Sequence, residues 1–367
     1  MKWIFKLTAA AAVLWSGYWF VGAQAQEKMY ASLLAEGREQ GWTVESRNLG
    51  VEGFPNRFDT TLTDLNFRDP SGKWAWRGET FQINALSYQP NHIIMAWDGE
   101  QTVETPEGSA TINAELLRAS LVVSPSLNLP LSRFQIEGTN LDVESPQNWS
   151  ANIGTLNGAL YQDETTPTRY RLGVELNGVT PPLNLISRLG GGSFLNGLVD
   201  KVHLSALVDF DREIDRRALE RGVQPVPVSA VIEPSIIIWG ESELAISGQL
   251  TPGANGFVEG SLDFEVQNWQ PLFEAFKQAS NLSTTEKMTL KRALDAASAG
   301  GNLIFTLNFV EGESRIGPFT IGQALKTRSK AKRETRFHAS GGQFCLLLHR
   351  RQKTRPCRIW TARGGRE

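Results

Sequence analysis

The chain has 367 residues, 41% apolar and 21% charged, with a formal net charge of -2, enough length and apolar content for a real hydrophobic core. The near-neutral sum hides two opposite parts: residues 326–367 hold 13 Lys/Arg against Glu334 and Glu367, so residues 1–325 hold 24 bases against 37 acids, a net of -13. An acidic body repels phosphates and argues against nucleic acid as a partner; with both cysteines, Cys345 and Cys357, in the basic tail, the body has no disulfide, thiolate nucleophile or Cys-ligated metal.

Lys2 and Lys6 flank an uncharged run, Leu7 to Ala23. As a helix it is about 26 Å long, slightly short of a hydrocarbon core of roughly 30 Å. Trp15, Tyr18 and Trp19 sit toward its far end, where amphipathic rings favour the membrane interface. Lysines before the run and acids after it predict single-pass, N-in insertion in the inner membrane, with the remainder in the periplasm. Ala23-Gln24-Ala25 also fits an A-x-A cleavage site, so residues 1–25 read as a retained anchor or as a signal peptide cut near Ala25. The bulky Tyr18-Trp19-Phe20 cluster, and the continuation into a linking helix over 26–40 stopped by Gly41, favour the anchor.

From 41 to 325 the chain is a succession of short period-2 segments separated by Gly, Pro, Asn and Asp. Val202, Leu204, Ala206, Val208 and Phe210 alternate with polar residues, as do Tyr170 to Leu176, Leu244 to Leu250 and Leu303 to Phe309. Such alternation predicts antiparallel sheet with one apolar and one wet face. Helical interruptions are few: a short polar stretch Arg212 to Arg221, Pro271 to Ala279 with Leu272, Phe273 and Phe276 at helical spacing, and a helix opened by the capping box Ser283-x-x-Glu286. The fold class is therefore mainly β with a few helices (α+β), in antiparallel sheets behind a membrane helix, without the βαβ alternation of a doubly wound sheet. The Gly-rich segment 189–197 marks a candidate seam between two β-rich halves.

Candidate chemistry is sparse. Asp209, Asp211, Glu213 and Asp215 form the densest carboxylate cluster, and hard cations need convergent oxygens, but Arg212, Arg216 and Arg217 stand ready to neutralise it. A strand-to-helix junction with Asp211 as N-cap is the plainer reading. Gly190-Gly191-Gly192-Ser193 lacks the Lys-Ser/Thr of a phosphate loop, and His92 and His203 stand alone. No metal, cofactor or catalytic set is expected, and the chain reads as non-enzymatic; a periplasmic hydrolase using paired acids is the lesser alternative. Seven tryptophans lie in the body, and Trp74 and Trp76, sharing a strand phase across Ala75, offer an aromatic wall for an apolar ligand or ordinary core cover. Gly53-Phe54-Pro55 reads as a turn, with Gly53 at positive φ and Phe54 delivered inward.

The charged start, the Tyr18-Trp19-Phe20 exit, Gly53-Phe54-Pro55 with Arg57, Trp239-Gly240, Asn268-Trp269, the helical pair and Gly317-Pro318 resemble an alphaproteobacterial envelope family known as domain of unknown function 2125. The resemblance covers roughly 1–325 and implies an address without an activity. The pattern is also loosely similar to AsmA-type envelope proteins, whose anchored, curved sheets are implicated in moving lipid. That likeness implies extended, curved antiparallel sheets in an AsmA-like or lipid-binding-like fold carrying lipid or another envelope hydrophobe; the alternative is a structural or assembly partner of envelope proteins. Beyond Leu325 the pattern fails: 326–367 is basic, holds both cysteines and lacks periodicity. It reads as a disordered tail, either an electrostatic arm or the product of a frameshift.

Overall fold

The computed structural model describes residues 2–182, 198–219, 224–279, 282–298 and 301–326. Lys2–Glu39 is one unbroken helix, α1, so the leader and the linking helix are a single rod. No proline interrupts it, and the Gly41 N–H and Trp42 N–H close its end on the Arg38 and Gly37 carbonyls. Gly41 takes φ +87°, a conformation glycine adopts without strain. Met29 and Leu33 of its apolar stripe stay exposed.

Sixteen strands follow among the described residues. They are β1 (Thr43–Glu45), β2 (Asn48–Glu52), β3 (Arg57–Arg68), β4 (Ala75–Leu86), β5 (Gln89–Thr105), β6 (Gly108–Val123), β7 (Leu131–Ser145) and β8 (Trp149–Gln162). The second half comprises β9 (Arg169–Thr180), β10 (Val199–Phe210), β11 (Pro227–Trp239), β12 (Ser242–Pro252), β13 (Val258–Gln267), β14 (Asn302–Val310), β15 (Glu313–Ile316) and β16 (Phe319–Gln323). All belong to one curved antiparallel sheet in which, from β3 onward, each strand pairs the next in sequence. β1 and β2 both line the free side of β3, from Thr43↔Arg68 to Glu52↔Asp59, as one interrupted edge strand. β9 pairs β10 directly, so the sheet does not divide there; the proposed seam, 189–197, and the glycine triplet with Ser193 lie outside the described residues.

The helices after β13 are α2 (Gln270–Ala279) and α3 (Thr284–Ala297). The capping box forms: Glu286 N–H donates to Ser283 Oγ at 3.3 Å, and Ser283 N–H to Glu286 Oε2 at 2.8 Å. Phe273 is buried and Leu272 packs beside it; the side chain of Phe276 lies outside the described residues. Among its described residues, the polar stretch after β10 gives one 3-10 turn, Arg216–Leu219. Before that turn the chain folds back over the sheet's margin. Leu131 N–H donates to the Ile214 carbonyl at 2.7 Å, and Ile214 N–H to the fully buried Tyr170 hydroxyl at 3.1 Å.

Two buried clusters sit at opposite ends of the sheet. Trp19, Ala23 and Phe58 join α1 to β3; Val266, Trp269, Phe273, Leu290, Leu294 and Leu303 join α2 and α3 to β13 and β14. Leu325 closes back on β13 through Val258 N–H to its carbonyl at 2.8 Å, and Lys326 bridges Phe257. Expectations for 327–367 lie outside the described residues.

Candidate functional site

Directly opposed residues in adjacent antiparallel strands share a face, so the register can be followed across the sheet. One row reads Phe58, Ala85, Ile93, Leu121, Phe134, Leu160, Leu172 and Ala206 from β3 to β10. It continues as Ile232, Gly248, Leu262, Leu307, Ile316 and Phe319 from β11 to β16. Every member is apolar or glycine. A neighbouring row, Ile83, Met95, Ala119, Ile136, Gly158, Val174 and Leu204, adds width from β4 to β10.

This face is not a closed core. Between the helical clusters, Ile93, Leu121, Phe134 and Leu160 are only half-buried, and Leu172 is 39% exposed. A contiguous, partly open apolar surface of this kind, unlike scattered surface apolar residues, needs an explanation beyond ordinary packing. At its C-terminal end, α2 and α3 roof an apolar pocket of about 290 Å³, lined by Leu244, Phe264, Trp269, Leu290 and Phe305 among others. Phe264 and Phe305 stack there at 4.9 Å, and the Lys291 ammonium stands 5.8 Å from the Trp269 ring centroid. The Trp269 indole N–H is buried without a hydrogen-bond partner.

The opposite face is polar. Arg118 pairs with Glu137, Arg171 with Glu233, and Glu175 with Lys201 and, at 3.6 Å, with His203. His92 Nε2 meets Ser120 Oγ at 2.9 Å. Of these, His92, Arg118, Ser120, Glu137, Glu175 and His203 line an open hollow of about 640 Å³. The carboxylates of this face are ion-paired: hydrogen bonds from Asn177 and Lys201 hold Glu175 below the usual Glu range, and bonds from Ser205 and Arg171 do the same for Glu233, outside the hollow. A general acid for neutral pH needs the opposite shift.

The acidic cluster after β10 is likewise dispersed onto separate partners. Asp209 takes a forked bond from Arg169 at 2.7 and 3.1 Å, and Asp211 accepts Val226 N–H at 2.9 Å. Asp215, not Asp211, caps the 3-10 turn by accepting Arg217 N–H at 2.9 Å. The Arg169 guanidinium, then the Ser229 hydroxyl, hold Asp209 below the ordinary Asp range. Among the described residues no group of three His, Cys, Asp or Glu side chains could hold a metal ion.

A lowered folded pKa means that the unfolded chain binds the proton more readily, so the stabilisation is present above the unfolded value, about 3.9, and fades as pH falls through the folded one. Replacing Asp209 by Asn should therefore lower stability at neutral pH. The gap from wild type should hold down to about pH 5 and close as the medium falls below about 4. Urea melts across that series check it; a gap that widens in acid contradicts the assignment.

The aromatic residues singled out from sequence part company. Trp74 lies in the turn before β4, where Asp69 accepts Trp74 N–H at 2.8 Å, and it is exposed. Trp76 lies within β4, donates to Gln101 Oε1 at 3.0 Å and meets Phe81 edge-on. The Asp69 turn leaves Trp74 just outside the strand that holds Trp76. Gly53 has φ +100°, and a Cβ there would lie 2.8 Å from Arg57 Cβ, so the turn requires glycine. Phe54, however, is 51% exposed: the turn delivers it not into a sheet core but onto α1, stacked on Phe20 and edge-on to Trp19.

Around that turn the sequence hid a joint. Trp15 Nε1 donates to the Pro55 carbonyl at 2.8 Å, Tyr18 Oη to Ser87 at 2.6 Å and Trp19 Nε1 to Arg57 at 2.7 Å. Gly22 sits against the Phe58 ring, where a Cβ would come within 2.6 Å. The aromatic run at the leader's end was the available signal, and the interface reading accounted for it without a protein partner.

A family model described as "Uncharacterized protein conserved in bacteria (DUF2125)" matches residues 19–324. No curated protein and no solved structure matches the chain. The AsmA-type likeness gains no support from these matches.

Proposed function

Since the chain belongs to the bacterial family DUF2125, a membership that carries no activity with it, we propose from its geometry a non-enzymatic function: binding acyl lipid, or another envelope hydrophobe, along the apolar face. In this reading α1, long and apolar enough to cross a membrane, anchors the chain N-in, and the sheet stands in the periplasm.

The observation that carries the reading is the uninterrupted apolar row from Phe58 to Phe319, left half-open between its two helical ends. Burying a methylene contributes about 0.8 kcal/mol, so a chain of roughly ten methylenes laid along such a face gains on the order of 8 kcal/mol before ordering costs. The pocket beneath α2 and α3 would take the end of such a chain.

A photoreactive benzoylphenylalanine at Phe134 or Leu160 in the full-length protein should, on irradiation in cells, give lipid adducts detectable by mass spectrometry. The same group at Gln135 or Asn157, whose neighbours lie on the polar face, should give none. Adducts to a protein alone at Phe134 and Leu160 would replace this reading with that of an assembly partner.

A further inference from the structure

We propose that the turns Gly53–Asn56 and Ser87–Gln89 form a membrane-contacting rim, with Phe54 and Tyr88 seated in the interfacial layer of the bilayer that α1 enters. The argument starts from α1. Its apolar run ends at Ala23, yet the domain is bonded to it well before that point, at Trp15, Tyr18 and Trp19. From Trp15 to Ala23 the helix rises about 12 Å. A bilayer enclosing all of Leu7 to Ala23 would hold Pro55 about 12 Å below its edge, so the edge lies instead at the level of Trp15 to Trp19, where the indole and phenol donors hold Pro55 and Ser87 against the helix.

The side chains presented there suit such a place. Phe54 is 51% exposed and Tyr88 63%, and beside them on α1 Trp15, Tyr18 and Phe20 are exposed as well. Aromatic rings with one polar edge concentrate at the membrane–water boundary; here three of them, Trp15, Tyr18 and Tyr88, converge from two chain segments with the apolar rings of Phe20 and Phe54. The donors on α1 are already satisfied by backbone carbonyls, so submerging them to the headgroup level leaves no unpaired indole or phenol among the three. The rim adjoins Phe58, the first member of the apolar row, which packs on Trp19. Resting on the lipid reading above, this places the α1 end of the row at the bilayer surface, so that the path of an acyl chain to the half-open stretch beginning at Ile93 starts at the membrane.

The test uses the full chain with Cys345→Ser and Cys357→Ser, reconstituted in phosphatidylcholine–phosphatidylglycerol nanodiscs. An environment-sensitive fluorophore is attached through Tyr88→Cys or, separately, Phe54→Cys; Tyr88 is exposed, so its replacement leaves packing intact. Its control is Glu107→Cys, at the other end of β5 and roughly 55 Å away along a 17-residue strand. The fluorophores at 88 and 54 should be blue-shifted, and quenched several-fold more by lipids spin-labelled near the headgroup than the one at 107. Emission at both rim positions as aqueous and as unquenched as at 107 overturns the proposal. The two readings separate: quenching at the rim upholds the proposal even if Phe134 gives no lipid adducts, and adducts at Phe134 do not rescue a rim that stays in water.

Discussion

Replacing Trp269 by Ala should lower stability by roughly 3–5 kcal/mol, the usual loss for emptying a buried tryptophan site. Trp269 is 2% exposed and stands at the start of α2, edge-on to Phe273 and in the cluster that includes Leu290, Leu294 and Leu303. Its indole N–H has no partner, so the loss is one of packing and cavity, without a broken hydrogen bond. Trp269→Phe should accordingly cost much less than Trp269→Ala. Urea unfolding followed by circular dichroism, with hydrogen exchange in α2 and α3, separates global loss from detachment of the roof. A change below 1 kcal/mol by both measures would show that the helices do not rest on the sheet as described.

Gly248→Ala is the second large effect, and it acts through the backbone. Gly248 in β12 has φ +150°, and a Cβ there would lie 2.2 Å from the Ser261 carbonyl oxygen and 2.9 Å from Leu262 Cα. Both atoms belong to the main chain of β13, so relief requires the strands to part. Strain of about 1–3 kcal/mol for the unfavourable conformation adds to a similar overpacking term, giving a loss of about 2–6 kcal/mol. Gly260, at φ +130° with the same 2.2 Å approach to the Gln249 carbonyl, should respond alike. By contrast Gly50→Ala, where nothing lies within 4 Å, should be nearly neutral. Thermal melts of the three variants check this; equal melting temperatures for Gly248→Ala and Gly50→Ala would refute the close approach.

Much of this architecture was legible because its signals are local. Alternation in Val202 to Phe210 or Leu303 to Phe309 reports one apolar face whatever the partner strand is. Ser283 and Glu286 announce a helix start through bonds that span three residues. The single row across fourteen strands was not legible, since it depends on register, and the bulges that adjust register, as between His203 and Ala206 in β10, leave little mark on composition. The acidic cluster misled for a related reason. Asp209 looked like a neighbour of Arg212, but its cation is Arg169, brought by the pairing of β9 with β10. Phe54 carried the right turn and the wrong destination, because the surface that receives it lies some thirty residues upstream on α1.

The connectivity of the sheet also bears on how such a protein changes over generations. From β3 to β16 each strand pairs with the next in sequence, so a hairpin is a unit that can be duplicated or lost without rethreading the sheet, as in other one-dimensional arrays. With strands about 4.8 Å apart, the row from Phe58 to Phe319 is roughly 60 Å from end to end, and each added or deleted hairpin alters it by about 10 Å. Reach is thereby an inheritable dimension, adjustable in even steps while the aromatic foot and the helical roof stay as they are.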